Sequence, residues 1–268
     1  MVSPLPRNEP ACFRRSLWIY FLTALVLQPA LLTLASTAFA QPSTDSSYYA
    51  RRNAFGVFGA YSGDSSHIVL GDAEKRKLLN LGVSYSRRLF LDHRVNWQYD
   101  GELIPVALEG DPLSRYVVRE TSPKVVTTTT DGGPMISCAP VTTSYSYTDQ
   151  GGVLHSGSFD TFCHGRQWTV GEAMSPIGSQ LNLLPRRKTQ PFVSGHGGYM
   201  YSTQAIPLAF AGSFNFTFDV GAGVEFYRSP KRSIRAEYRY HHISNHGTAT
   251  DNPGIDNGVV QLSYVFGR

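Results

Sequence analysis

Beyond its first forty residues, this sequence has no long hydrophobic run. No later segment has the ~18 consecutive apolar residues that a membrane-spanning helix needs. Charge is also scarce: 16% of residues are charged, and the formal net charge is +4. So mild a balance does not favour a nucleic-acid partner, which would need a strongly basic surface. The lack of a long hydrophobic run does not exclude a membrane β-barrel, because the alternating residues of its strands have a low average hydropathy.

Cysteine is also rare, with three in the whole chain. Cys12 lies in the apparent leader, so Cys138 and Cys163 remain in the mature chain. An exported protein with two cysteines generally pairs them, and we predict a disulfide that staples one loop. No zinc-ligand spacing, phosphate-binding glycine loop or dinucleotide-binding pattern is present, so neither a metal nor a cofactor is expected.

The first forty residues have the pattern of a targeting segment. Arg14 and Arg15 precede the apolar run "LWIYFLTALVLQPALLTLAS", and Ala38 and Ala40 then form a small-x-small cleavage site. This pattern predicts a secretory signal peptide over residues 1–40. The apolar run is long for a signal peptide, so an uncleaved anchor is the alternative. The polar "QPSTDSS" that follows favours cleavage and a mature domain over residues 41–268.

The clearest strand pattern is "SFNFTFDVGAGVEF", which alternates with a period of two. One face carries Phe214, Phe216, Phe218, Val220, Ala222, Val224 and Phe226. The other face carries Ser213, Asn215, Thr217, Asp219, Gly221, Gly223 and Glu225. An apolar face opposite a polar, glycine-rich face is typical of a strand with lipid on one side and a polar lumen on the other.

Seven further segments show the same alternation. They are "NAFGVFGAYS", "LNLGVSYS" and "RVNWQYD", and residues at about 168–184, 190–202, 233–242 and 258–266. Together they predict an all-β fold, an eight-stranded antiparallel transmembrane β-barrel of the outer-membrane type. Short and long connections alternate, which places the short turns and both ends of the mature chain in the periplasm. Residues 109–164, which carry both cysteines, are expected to form a long extracellular loop.

The alternation also places three polar residues on the lipid-facing side near the outer rim. His242 and Ser244 continue the apolar row of the seventh strand, and Asp256 continues that of the eighth. A serine hydroxyl, an imidazole and a carboxyl are the nucleophile, base and acid of a serine hydrolase. The alternative is an ordinary polar rim with no catalytic role. Asp251 is a second candidate for the acid, but it has the wrong parity.

The same region resembles a known family, the outer-membrane lipid A 3-O-deacylases (PagL type), also described as acyloxyacyl hydrolases. The matching residues are "YRYHHISN" from Tyr238 to Asn245 and "NPGID" from Asn252 to Asp256. The segments "FNFTFDVGAGVEF", "SPIGSQLNLLP" and "QPFVSGHGGYMYST" also resemble that family's strands. The likeness covers most of residues 53–266 apart from the long connection.

The resemblance implies a metal-independent esterase in the cell outer membrane. Ser244 would be the nucleophile and His242 the general base, while the N–H groups of Asn245 and Gly247 would form the oxyanion hole. The family's acid is usually glutamate, so Asp256 is a departure whose shorter reach has to be tested. The ending "YVFGR" and the long 109–164 connection are further departures.

The implied substrate is lipid A of lipopolysaccharide, from which the 3-O-linked acyl chain would be released. Outer-membrane lipids are the expected surroundings, and a homodimer is left open. The main alternative is a non-catalytic structural or adhesive outer-membrane barrel that works through its long connection. An acyltransferase with the same site is a third reading, which differs in whether the fatty acid is freed or moved to another lipid.

Overall fold

The computed structural model describes residues 48–268, so the predicted signal peptide of residues 1–40 lies outside the described residues. The described part is built of β-strands. They are β1 (Asn53–Ser62), β2 (Lys77–Leu91), β3 (Val95–Ser122), β4 (Val126–Pro134), β5 (Val141–Thr148), β6 (Leu154–Leu183), β7 (Thr189–Ser202), β8 (Phe214–Ser229), β9 (Arg232–Ser244) and β10 (Ile255–Gly267). Residues 48–268 contain no helix of the length and apolarity needed to cross a membrane.

Eight of the strands close into a ring. Neighbours pair antiparallel in the order β3-β2-β1-β10-β9-β8-β7-β6, and β6 pairs back onto β3. Closure gives every strand of the ring a hydrogen-bonding partner on both sides, so the barrel itself has no free edge. The predicted eight-stranded antiparallel barrel is thereby confirmed.

The two faces of the ring differ as the alternation requires. In β8, Phe218 and Val220 are 46% and 49% exposed on the outside, whereas Asp219 between them is 5% exposed. Successive side chains of a strand point to opposite faces, so the apolar row faces outward and the polar row fills the lumen. An apolar exterior is stable only where hydrocarbon replaces water around it.

Paired charges fill the lumen. The Arg239 guanidinium donates to both Glu102 oxygens, at 2.9 and 2.7 Å, and to Glu237 at 2.8 Å. Nearer the other end, Arg235 lies 3.4 Å from Asp100 and 3.2 Å from Glu225. Buried charges are tolerated when they are paired and hydrogen-bonded. The Arg239–Glu102 and Arg235–Asp100 pairs therefore join β9 to β3 on the opposite wall of the ring.

The two ends of the barrel carry different connections. At one end the ring strands meet through the short segments 92–94, 184–188 and 230–231, and β1 begins and β10 ends there. At the other end lie the longer connections 63–76, 203–213 and 245–254. This second end, where β9 ends and β10 begins, is called the site end below.

Residues 109–164, expected as a loop, are largely an extension of the sheet. Strands β3 and β6 are 28 and 30 residues long and stay paired as far as Ser122 and Ser156. Strands β4 and β5 flank them and give the order β4-β3-β6-β5 at the site end. Serine, threonine and tyrosine occupy both faces of this extension, which explains why no apolar and polar alternation marks it in the sequence. We call it the sheet extension.

A disulfide between Cys138 and Cys163 closes the sheet extension. Cys138 lies in the connection between β4 and β5, and Cys163 lies in β6. The bond therefore ties that connection, residues 135–140, to a strand of the barrel wall.

Replacing Arg239 with alanine should destabilise the barrel by about 3–5 kcal/mol, because two buried carboxylates lose their counter-charge. Urea unfolding in detergent micelles measures the change. The matched control is Arg232→Ala, at the exposed start of the same strand, which should change stability by less than about 0.5 kcal/mol. Equal effects of the two substitutions would contradict a structural role for the lumenal ion pairs.

Candidate active site

The end of β9 and the start of β10 bring the candidate catalytic residues together. Register pairs His242 directly with Asp256, and Ile243 with Ile255. Ile243 is buried toward the core, whereas His242 and Ser244 are half-buried in the row that points outward. Both members of the pair thus lie on the outer face of the barrel, at its site end.

A hydrogen bond joins the imidazole to the carboxylate. His242 Nδ1 lies 2.7 Å from Asp256 Oδ1, and the carboxylate can only accept, so Nδ1 carries the proton. In the neutral ring Nε2 is then left as the proton acceptor, which is the tautomer a general base requires. Direct cross-strand pairing brings the aspartate within reach although it is one methylene shorter than glutamate.

The Asp256 carboxylate is completely buried, and His242 is one of several donors that bond it. The Tyr240 hydroxyl donates to Oδ1 at 2.8 Å. The main-chain N–H groups of Val69 and Leu70 donate to Oδ2 at 2.7 and 2.8 Å. A carboxylate offers about four acceptor positions, so these bonds use its capacity and fix its orientation.

Ser244 is the last residue of β9 and shares the outward row with His242. Two residues of strand separate their Cα atoms by about 7 Å. Within residues 48–268 the Ser244 side chain has no hydrogen-bonding partner. The serine and histidine are therefore neighbours on one face without a closed hydrogen bond, as is common in enzymes before substrate binds.

Apolar rings border these polar groups. In the register of β8 and β9, Phe216 lies opposite Ser244 and Phe218 lies opposite His242. Both rings are about half exposed on the outer face. A hydrocarbon chain in contact with the barrel wall can therefore pack beside the serine hydroxyl.

The two N–H groups predicted to form an oxyanion hole are both occupied. The Asn245 N–H donates to Asn252 Oδ1 at 3.0 Å, and the Gly247 N–H donates to Asn245 Oδ1 at 2.8 Å. The Asn245 side-chain amide also donates to the carbonyls of Ala211 and Asp251. Asn245 thus fastens two loops, and an open oxyanion hole is not formed in this arrangement.

Neither Tyr240 nor the segment between β1 and β2 was predicted from the sequence to be part of the site. Tyr240 stands two residues before His242, and this spacing places its hydroxyl on the same row. The segment's signal is the aliphatic run "HIVLG" (67–71) inside an otherwise polar connection. No group of three or more His, Cys, Asp or Glu side chains in residues 48–268 is arranged to hold a metal ion.

Comparison with known proteins gives a family match over this part of the chain. Residues 140–265 match the family described as Lipid A 3-O-deacylase (PagL). The match includes all of β7 to β9, β10 as far as Val265, and both residues of the His242–Asp256 pair. It confirms the resemblance seen in the sequence, to a family of ester hydrolases that act on lipid A.

This chain is also similar to solved structures at low sequence identity. The crystal structure of the outer membrane enzyme PagL is 13% identical, with a TM-score of 0.42, and the match covers 80% of this chain and 99% of that one. Neisserial surface protein A is 11% identical, with a TM-score of 0.39, and the match covers 81% and 97%. No curated protein matches this chain.

The substitution Gly254→Ala should lower the rate of ester hydrolysis in addition to lowering the free energy of unfolding. Gly254 has a φ of +64°, and a Cβ there would lie 3.1 Å from His242 Cε1 and 3.3 Å from Gly71 Cα. The left-handed conformation costs an alanine about 1–2 kcal/mol, and the crowding would also push the imidazole away from Asp256. Urea unfolding and hydrolysis of a soluble p-nitrophenyl ester measure the two effects.

The matched control is Gly152→Ala in the sheet extension. Gly152 has a φ of +82°, and a Cβ added there would have no atom within 4 Å. This variant should carry a similar backbone cost and retain ester hydrolysis. Equal hydrolysis by the two variants would argue against contact between Gly254 and the working imidazole.

Proposed function

We propose that this chain is an outer-membrane serine esterase that removes the 3-O-linked acyl chain from lipid A of lipopolysaccharide. The observation that supports this most is the His242–Asp256 hydrogen bond on the outer face, in the same row as Ser244. The family match over residues 140–265 supplies the substrate class.

In the proposed mechanism His242 Nε2 takes the proton of Ser244 as the hydroxyl oxygen attacks the ester carbonyl. The tetrahedral intermediate collapses, the sugar hydroxyl leaves with the proton from His242, and the acyl group stays on Ser244. Water, deprotonated by His242, then attacks the acyl-enzyme, and the fatty acid is freed as His242 returns the proton to the Ser244 oxygen. Asp256 stabilises the imidazolium through both steps.

Oxyanion stabilisation by Asn245 and Gly247 stays a prediction. Their N–H groups would first have to leave the side-chain oxygens of Asn252 and Asn245 that they now bond. A developing oxyanion is a stronger acceptor than a neutral amide oxygen, so exchange of these bonds during the reaction is chemically reasonable.

The membrane setting follows from the two unlike ends of the barrel. Short turns and both ends of the described barrel chain are typical of the periplasmic end, and long connections of the external end. The site end would then lie at the outer leaflet, where Ser244 and His242 face lipid directly. A lipid substrate can reach them there without leaving the bilayer.

Ser244→Ala and His242→Asn should each lower release of the 3-hydroxy fatty acid by at least about 10³-fold, because each removes a group that acts in the transition state. Mass spectrometry of lipid A incubated with the purified protein measures the loss. The control is Ser179→Ala, a serine exposed on the same outer face in β6. Wild-type protein that frees no fatty acid while remaining folded would refute the proposal, and transfer of the chain to another lipid would identify an acyltransferase.

Asp256→Asn should lower kcat by roughly 10³- to 10⁴-fold, because an amide in that place favours the wrong imidazole tautomer. The substitution preserves shape, so the fold should persist. The control is Asp251→Asn in the β9–β10 connection. The main-chain carbonyl of Asp251, and not its carboxylate, accepts a hydrogen bond from the Asn245 side chain. A larger loss in Asp251→Asn would move the acid role to that residue.

A further inference from the structure

The connection between β1 and β2 lies across the start of β10. Ser65 forms an antiparallel bridge with Asn257, and Ala73 forms a parallel bridge with Ile255. These bridges fall on either side of Asp256. The intervening residues 66–72, called the acid-covering segment below, therefore cross the outer side of the carboxylate.

The packing of the acid-covering segment on β10 is tight. A Cβ on Gly71 would lie 2.6 Å from the main-chain nitrogen of Asp256 and 2.8 Å from the carbonyl carbon of Ile255. Only a residue without a side chain allows this approach. The close contact brings the N–H groups of Val69 and Leu70 onto Asp256 Oδ2.

We propose that Val69 and Leu70 are positioning residues, whose main-chain N–H groups orient the Asp256 carboxylate toward His242. Oδ1 serves the imidazole and the Tyr240 hydroxyl, while Oδ2 is held by the segment. Without the two N–H donors, Oδ2 would be a buried charged oxygen short of donors, and the carboxylate would rotate to find them. This inference rests on the proposed function, because it assigns a role within the same reaction.

The segment is braced from the sheet extension. The Glu74 N–H donates to the Ile136 carbonyl at 2.8 Å, and Ser137 Oγ donates to Glu74 Oε2 at 2.8 Å. Ile136 and Ser137 adjoin Cys138, whose disulfide fixes the connection to β6. The far end of the acid-covering segment is thus tied, through Glu74, to a cross-linked part of the wall.

The side chains of the segment point away from the carboxylate. Ile68, Val69 and Leu70 are 48%, 67% and 61% exposed, so their main-chain and side-chain contributions can be separated by substitution. Val69→Pro removes the N–H donor, whereas Val69→Ala keeps the donor and removes most of the side chain.

The test measures kcat and KM for fatty-acid release from lipid A by the two variants in detergent. Val69→Pro should lower kcat about 10-fold relative to Val69→Ala, the effect of losing one hydrogen bond to a charged group. KM should stay within about twofold, because the donor does not touch substrate. Equal kcat values in two folded variants would overturn the inference.

A second variant decides the matter if Val69→Pro does not fold. Glu74→Ala leaves every barrel strand intact and removes the acceptor of Ser137, so it should lower kcat with KM unchanged. Opening the disulfide with Cys138→Ala and Cys163→Ala together should act in the same direction. An unchanged kcat in Glu74→Ala would overturn the positioning role.

Labelling of Ser244 by a fluorophosphonate separates this inference from the proposed function. The reagent reports a serine activated by histidine and needs no lipid A. Wild-type protein that is labelled but frees no fatty acid would refute the lipid A substrate alone, and the labelling rates of the Val69 variants would still test positioning. Wild-type protein that is not labelled at Ser244 would overturn both.

Discussion

The closed ring of eight hydrogen-bonded strands is the constraint on which the rest of this molecule depends. Once the sheet has closed, each strand has one face toward a narrow lumen and one toward the surroundings. The lumen is too crowded for water to solvate charges freely, so arginines and carboxylates must pair with each other. The outer face can then be largely apolar, and His242, Ser244 and Asp256 are polar residues set into it at the site end.

A buried charge on such a face requires its own hydrogen-bonding partners. Asp256 obtains them from two separate parts of the chain: Tyr240 and His242 in β9, and the main chain of the β1–β2 connection. The outcome is a carboxylate buried by its neighbours on a surface that otherwise meets hydrocarbon. Its charge is thereby kept away from lipid while remaining available to the imidazole.

Much of this architecture could be predicted from the sequence, because a strand with unlike faces has a period of two. The eight ring strands and the outward parity of His242 and Ser244 follow from that period. Extending it through two adjacent strands also places Asp256 on the same face as His242, whereas the register that pairs the two residues could be read only from the structure. The sheet extension could not be found in this way, since threonine, serine and tyrosine suit both faces of a solvated sheet and leave no alternation.

Contacts between segments that are far apart in the chain could not be predicted from the sequence either. The N–H groups of Val69 and Leu70 reach Asp256 across more than 180 positions of chain, and main-chain donors have no residue-specific signature.

The placement of the sheet extension bears on how crowded the site is. Its parent strands, β3 and β6, lie three places around the ring from β10 and β9 respectively. The sheet extension therefore stands on the wall opposite the site. The side of the barrel that bears Ser244 remains accessible from the surrounding membrane plane. A molecule confined to a leaflet would meet this side by two-dimensional diffusion, so its encounter rate would follow its surface density rather than its concentration in solution.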